Sequence, residues 1–224
     1  MTKIIPLAAA AAAALAMMGC SSSKEPAAPA EVPVKKAEPP VLKKTQAPDV
    51  FKVNFDTSKG PFVVEVHRDW APVGVDHFYD LVQSKYYDGD RFFRVLKGFV
   101  VQFGLNGDPA VTAHWDNVSI PDDPVKEHNV RGTIVYATAG PATRTTQLFV
   151  NLANNSSQLD SQGFSPFGKV VSGMAVVESL YGGYGEGAPQ GEGPDQNLAK
   201  SRGNEYLTGQ FPRLDYIKSA TIEQ

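Results

Sequence analysis

The run Asp90 to Gly104, DRFFRVLKGFVVQFG, sets the terms for the rest of the chain. Aromatic and aliphatic residues fill it from Phe92 to Phe103. Arg94 and Gln102 stand alone among them on either side of Lys97-Gly98. The pattern predicts two β-strands with a break at Gly98. Residues an even number apart share a face of one strand. A break cancels that rule, so spacing alone does not place Arg94 beside Gln102. An arginine in such apolar company is expensive to bury unpaired. The plain alternative is an exposed strand charge whose stem lies along the sheet.

Two later stretches bear on that choice. Ala137 to Asn151, ATAGPATRTTQLFVN, joins a Gly-Pro turn and small hydroxyl residues to a short strand. Phe164 to Val171, FSPFGKVV, predicts another strand. Five motifs then stand in order. They are Phe92-Phe93-Arg94, Gly98-Phe99-Val100-Val101-Gln102, Ala137-Thr138-Ala139-Gly140-Pro141, Gln147-Leu148-Phe149 and Phe167-Gly168-Lys169-Val170. Together they resemble the cyclophilin family of peptidyl-prolyl cis-trans isomerases, and the resemblance covers roughly residues 50 to 222.

The rest of this region is mostly strand-like. Phe51 to Phe55 alternates as a half-buried strand, Thr57 to Gly60 turns, and Phe62 to Val66 returns, which makes a hairpin. Pro72 suits the first turn of a helix capped near Asp69 or Trp70. Val75, Phe78, Tyr79 and Val82 supply its apolar face. Residues 105–128 read as irregular, with Asp122-Asp123 in a solvated turn, because a cation loop needs more oxygen ligands at defined spacing. Gly132 to Tyr136 predicts a strand, Met174 to Leu180 a short helix, and Leu214 to Ile222 a closing strand. Residues 181–210 are glycine-rich and polar, without an apolar period, and read as a long surface loop. Many short strands, two helices and no βαβ rhythm indicate a mainly all-β barrel or sandwich. The resemblance implies a closed eight-stranded antiparallel barrel capped by two helices.

Upstream, residues 1–19 read as a targeting segment. Lys3 precedes an alanine-rich apolar run that ends at Gly19-Cys20, and the run is too short for a comfortable membrane span. Cys20 is the only cysteine, so it has no partner for a disulfide within the chain. A small residue before cysteine at this place resembles a bacterial lipobox, in which the cysteine is lipidated. Residues 20–48 then form a Pro/Ala-rich linker that cannot bury enough apolar surface to fold. Extended, it reaches at most roughly 80–90 Å. The expectation is a lipid anchor at Cys20 on a bacterial membrane, in the cell envelope, with an isomerase domain over residues 49–224 outside the cytoplasm. A formal net charge of −3 without a basic stripe argues against nucleic acid. A solute-binding lipoprotein would need two α/β lobes, and this chain is too short for them.

Isomerising an X-Pro bond breaks no bond to a leaving group. The amide loses partial double-bond character across a barrier of about 18–20 kcal/mol. An apolar seat for the proline ring, a cation or donor near the prolyl nitrogen and fixed partners for the flanking backbone suffice. No cofactor or metal is expected, and His67, His77, His114 and His128 show no paired ligand spacing. The resemblance implies that Arg94 faces the prolyl nitrogen and that Gln102 binds the substrate carbonyl and steadies Arg94. It places Phe99, Val100, Phe149 and Leu159 in the proline pocket. Phe164 falls where many members carry histidine, as does Phe93. Thr138 falls at a backbone-binding asparagine, and Gln147 lies on the strand beside the pocket. Gln158 precedes Leu159 where cyclosporin-sensitive members carry a tryptophan. The resemblance implies proline-containing polypeptides as partners, and a monomer is expected. The competing class is a proline-segment-binding chaperone or scaffold with little turnover.

Overall fold

A computed structural model describes residues 45–223. The targeting segment, Cys20 and most of the linker lie outside the described residues. Among the described residues there are eight strands: β1 (Val50–Thr57), β2 (Gly60–His67), β3 (Arg94–Leu96), β4 (Val100–Phe103), β5 (Thr133–Tyr136), β6 (Leu148–Asn151), β7 (Pro166–Ser172) and β8 (Ile217–Ile222). They form one antiparallel sheet in the order β3-β4-β6-β5-β7-β2-β1-β8. The helical segments are α1 (Pro72–Gln83), α2 (Pro109–Asp116), α3 (Ser156–Leu159), α4 (Met174–Ser179) and α5 (Gln196–Gln210).

The closed barrel expected from the resemblance is not what forms. The sheet curls into a half-barrel, and its end strands β3 and β8 share no ladder. The single bridge Arg91–Tyr216 stands between them. Backbone bonds from Phe92 N to Asp215 O (3.0 Å) and from Ile217 N to Asp90 O (2.8 Å) flank it. Just ahead of β3, Phe92 faces the main core and Phe93 a second, smaller one.

The main core is aromatic. Phe55 and Phe62 stack across the β1–β2 hairpin at 4.8 Å, and Phe78 of α1, Tyr87 and Phe103 close around Phe55. Aromatic pairs of this kind add about 0.5–1.5 kcal/mol beyond the area they bury. Helix α1 turns Val75, Phe78, Leu81 and Val82 into this core. Its N-cap is Ala71, not Asp69 or Trp70, and Ala71 offers no side-chain acceptor. Asp123 supplies one from elsewhere, accepting from Val73 N (3.0 Å) and Gly74 N (2.8 Å). The carboxylate sits where the helix dipole favours negative charge. Asp123 is therefore buried, not in a solvated turn, and Arg144 donates to it at 3.1 Å.

The two-helix expectation also falls short. Helix α2 forms inside residues 105–128, capped by the Asp108 side chain. Helix α5 forms inside the expected loop 181–210. Asp195 caps it, accepting from Asn197 N (2.8 Å) and Leu198 N (3.0 Å). Gly203, at φ +53°, interrupts the helical backbone. A Cβ there would strike the Gly107 carbonyl oxygen, which instead accepts from Asn204 N. The break and the polar residues around it hide the helical period from the sequence. Ala199, Tyr206 and Leu207 nevertheless pack with Phe93, Leu105, Phe211 and Leu214 into the second core.

Ala47, within the expected linker, is already buried, and its amide donates to Asp76 of α1 at 3.0 Å. Helix α1 packs on β8 and β7, and α4 packs on β2. The outer face of β3, β4, β6 and β5 lies apart from these helices and carries the site.

Candidate active site

Pleating divides this part of the sheet into alternating rows. One row, Val95–Val101–Val150–Ile134, points into the main core. The next, Arg94–Gln102–Phe149–Val135, points outward. Two-residue alternation along each strand makes the separation obligatory. The tight turn at Gly98, with φ +76°, sets the register and places Arg94 directly opposite Gln102.

The polar end of the outward row is a chain of hydrogen bonds. Arg94 Nη1 donates to Gln102 Oε1 at 3.0 Å, and Gln102 Nε2 donates to Gln147 Oε1 at 2.9 Å. Arg94 also donates from Nε and Nη2 to the two carboxylate oxygens of Glu186, at 2.6 and 2.7 Å. Hydrogen bonding from Arg94 is the main force holding the Glu186 carboxyl below its usual range, against partial burial. Glu186 is the one charged contact of Arg94 that sequence reasoning missed. It is 92 residues away, inside a stretch read as loop.

The apolar end is a pocket. Val100, Val135, Phe149 and Leu159 form its buried base, with Phe99, Ala137 and Phe164 packed on it. Phe164 meets Phe149 edge-on at 5.6 Å. Arg94, Gln102, Thr138 and Gln158 share the same cleft, of about 620 Å³. The expected residues thus converge, with two distinctions. Thr138 turns its hydroxyl into its own turn, bonding Gly140 and Thr143, so the cleft meets a rim and not a free hydroxyl. Phe93 stays in the second core, away from the cleft.

A buried asparagine network underpins the pocket. Asn155 Nδ2 donates to Phe99 O (3.0 Å) and to Asn151 Oδ1 (2.7 Å). Asn151 Nδ2 donates to Asn129 Oδ1 (3.1 Å), and Asn129 Nδ2 donates to Phe164 O (2.8 Å). Satisfied amides in a low-dielectric setting fix loop positions, because any broken link leaves a buried polar atom unpaired. Nothing in the sequence singled out these three asparagines, whose partners lie on other segments.

The rim beyond Thr138 is held by charge. Asp122 accepts from Ala142 N at 2.7 Å and faces Arg144 Nε at 3.3 Å. Gln102 and Gln147 open sideways into a second hollow of about 490 Å³. Asp116 of α2 and Lys200 of α5, paired at 2.8 Å, line it. The four histidines sit elsewhere. His77 is buried and bonded to Thr145 O at 2.8 Å, and burial pushes it down to about 4. His67 stacks on Trp70 at 4.3 Å.

The site as a whole offers a fixed cation beside an apolar seat, with amide donors and acceptors alongside. It holds no nucleophile–base pair. This is an arrangement for stabilising a transient charge distribution.

Residues 52–197 match the family model described as cyclophilin type peptidyl-prolyl cis-trans isomerase/CLD. Peptidyl-prolyl cis-trans isomerase ppi1 of Schizosaccharomyces pombe is 35% identical over 135 residues, 57% of this chain and 83% of that protein. Peptidyl-prolyl cis-trans isomerase A of Dickeya dadantii is 35% identical over 157 residues, 65% of this chain and 77% of that protein. A crystal structure of a cyclophilin type isomerase from Cryptosporidium parvum superposes with a TM-score of 0.54 at 21% identity, covering 78% of this chain and 98% of that one.

Proposed function

The chain belongs to the cyclophilin-type peptidyl-prolyl cis-trans isomerases, and from that membership we propose how its cleft turns an X-Pro bond and where in the cell it does so. The protein is a peptidyl-prolyl cis-trans isomerase, an enzyme that assists protein folding. Its substrates are proline-containing polypeptides. The observation that carries the mechanism is the pairing of Arg94 with Gln102 at the mouth of the Phe99–Phe149–Leu159 pocket.

The proline ring seats on Val100, Phe149 and Leu159, with Phe99 and Phe164 as walls. As the amide twists, the prolyl nitrogen regains its lone pair. The Arg94 guanidinium, already oriented, meets that lone pair and stabilises it more than it stabilises either planar amide. Only such differential stabilisation speeds the rotation. Gln102 holds Nη1 of Arg94 on one side and is itself held by Gln147. Substrate carbonyl binding falls to Gln102, and backbone contact to the rim at Thr138. No proton transfer is needed, so no group with a pKa near neutrality is required.

The location rests on residues 1–48. Lys3 and the apolar run before Gly19-Cys20 support export and lipidation at Cys20, and the proline-rich linker supports a tethered monomeric domain held off a bacterial membrane. Clients are then exported polypeptides in the cell envelope. The test is a protease-coupled or NMR exchange assay of the full chain on a proline tetrapeptide. Catalysed exchange is expected. Binding of the peptide with no acceleration would favour a chaperone that holds proline segments.

A further inference from the structure

We propose that Glu186 is a positioning residue for Arg94, and that the glycine-rich segment from Gly182 to Gly193 is built to deliver it. The inference rests on reading Arg94 as the group that meets the prolyl nitrogen.

Arg94 stands on a three-residue strand at the end of the sheet. A side chain as long as arginine loses about 2 kcal/mol of rotamer entropy when it is held in one pose. Gln102 holds only Nη1. Glu186 takes the other edge of the guanidinium, Nε and Nη2, in a two-bond fork. Fork geometry fixes both the position and the plane of the group. With Gln102 on one side and Glu186 on the other, rotation about the terminal torsions is blocked.

The carboxylate is fixed in its turn. Gly187 N donates to Glu186 Oε1 at 2.9 Å. The loop folds back so that Gly193 N donates to Glu186 O (2.8 Å), Ala188 N to Gly193 O (3.1 Å) and Gly191 N to Gly187 O (3.0 Å). Gly187 and Gly193 form a parallel bridge. A Cβ at Gly191 or Gly193 would overlap the Glu186 carbonyl, and one at Gly187 would overlap the Pro194 carbonyl. These glycines are therefore required by close backbone approach, and the segment is a fitted support. Tyr184 seats the loop by packing edge-on against Tyr181 (5.1 Å) and Phe211 (5.0 Å).

The pair is not a stability device. Its side chains are 19% and 37% exposed, where ion pairs contribute little after screening. A nearby anion also weakens the pull of Arg94 on a lone pair. Orientation must outweigh that loss for the arrangement to help the reaction.

The test uses the full chain and a proline tetrapeptide. Glu186→Gln keeps the shape but offers one acceptor, and its amide N–H₂ faces a donor. In this variant kcat should fall roughly tenfold, or about 1.4 kcal/mol, with KM changed less than about twofold. The Arg94 Nε–Hε NMR cross-peak should be sharp in the parent and should shift and broaden in the variant. In an Arg94→Lys background the same substitution should cost nothing further, since its effect passes through the guanidinium. Unchanged kcat and an unchanged cross-peak would overturn the proposal. A rise in kcat would overturn it too, showing Glu186 to be a brake. An equal loss in the Arg94→Lys background would reduce Glu186 to a structural part. An inactive parent would count against the isomerase mechanism itself, while the cross-peak would still decide whether Glu186 orients Arg94.

Discussion

Arg94 and Gln102 face each other as a register pair of the β3–β4 hairpin, with Nη1 donating to Oε1 at 3.0 Å. Their eight-residue separation carries no such message by itself. The turn supplies it: a hairpin centred on Gly98 puts every residue across from its mirror position, on the same face of the sheet. A polar pair in an apolar run thus becomes one hydrogen-bonded unit.

Arg94→Ala should lower kcat/KM by roughly 10²-fold, the usual cost of removing one transition-state donor. Thermal unfolding should move little, because the lost ion pair is partly exposed. Arg94→Lys should recover only part of the rate, since lysine lacks the planar fork. A tetrapeptide assay beside a melting curve measures both. Parent-level turnover in Arg94→Ala would remove this residue from the mechanism.

Gln158 lies on the cleft wall just before Leu159, where cyclosporin-sensitive relatives carry tryptophan. Glutamine can donate one hydrogen bond but lacks the broad apolar face of an indole. The parent protein should bind cyclosporin weakly. Gln158→Trp should tighten it at least about tenfold, or ~1.4 kcal/mol, while changing tetrapeptide turnover less. Titration of both proteins by calorimetry checks this, and tight binding to the parent contradicts it.

If Cys20 carries the lipid, Cys20→Ser should shift the protein out of the membrane fraction or stall its processing. The cleft lies entirely within the described residues, so catalysis per molecule should persist. Mass spectrometry of the native protein should find the mature N-terminus at Cys20. A terminus elsewhere excludes lipidation there.

Asp90 is fully buried, and neither carboxylate oxygen has a hydrogen-bond partner. Burial first, and Asp88 second, push its carboxyl well above the usual range. The folded state therefore keeps the proton to higher pH than the unfolded state does. By linkage, stability is greatest below the unfolded-state value and falls as pH rises toward the folded-state value. Asp90→Asn removes that loss. It should raise Tm at pH 8 by roughly 2–4 °C for each kcal/mol gained, with little effect near pH 3. Melting curves at both pH values decide it; an equal shift at the two would point to packing instead.

The motifs carried Arg94, Gln102, Phe99, Val100 and Phe149, and the fold brings them to one cleft; Leu159 and Phe164, which also line it, stand outside the motifs and were placed by the resemblance alone. The hairpin β1–β2 and helix α1 were legible from period alone. Glu186 was not, since a single glutamate among glycines has no period and its partner is 92 residues away. Helix α5 was hidden by Gly203 and by a polar surface. Asp123 looked like a surface acid because its three donors come from α1 and Arg144, far along the chain. The open side of the sheet was hidden because the apolar pattern runs on through Phe92 and Phe93, whereas the backbone there meets residues 215–217 through one bridge and two flanking hydrogen bonds.

Asp123 ends the first turn of α1 with one carboxylate and grips Arg144 with the same group, while its neighbour Asp122 holds the turn that borders the cleft. Two requirements, a folded helix and a correctly set rim, thus rest on adjacent acids that share Arg144. Changes that would retune the rim for another client pass through a residue on which folding depends. Adaptation of this enzyme to new substrates has an easier route on the opposite wall, where exposed Gln158 and Gln162 bear no such double duty.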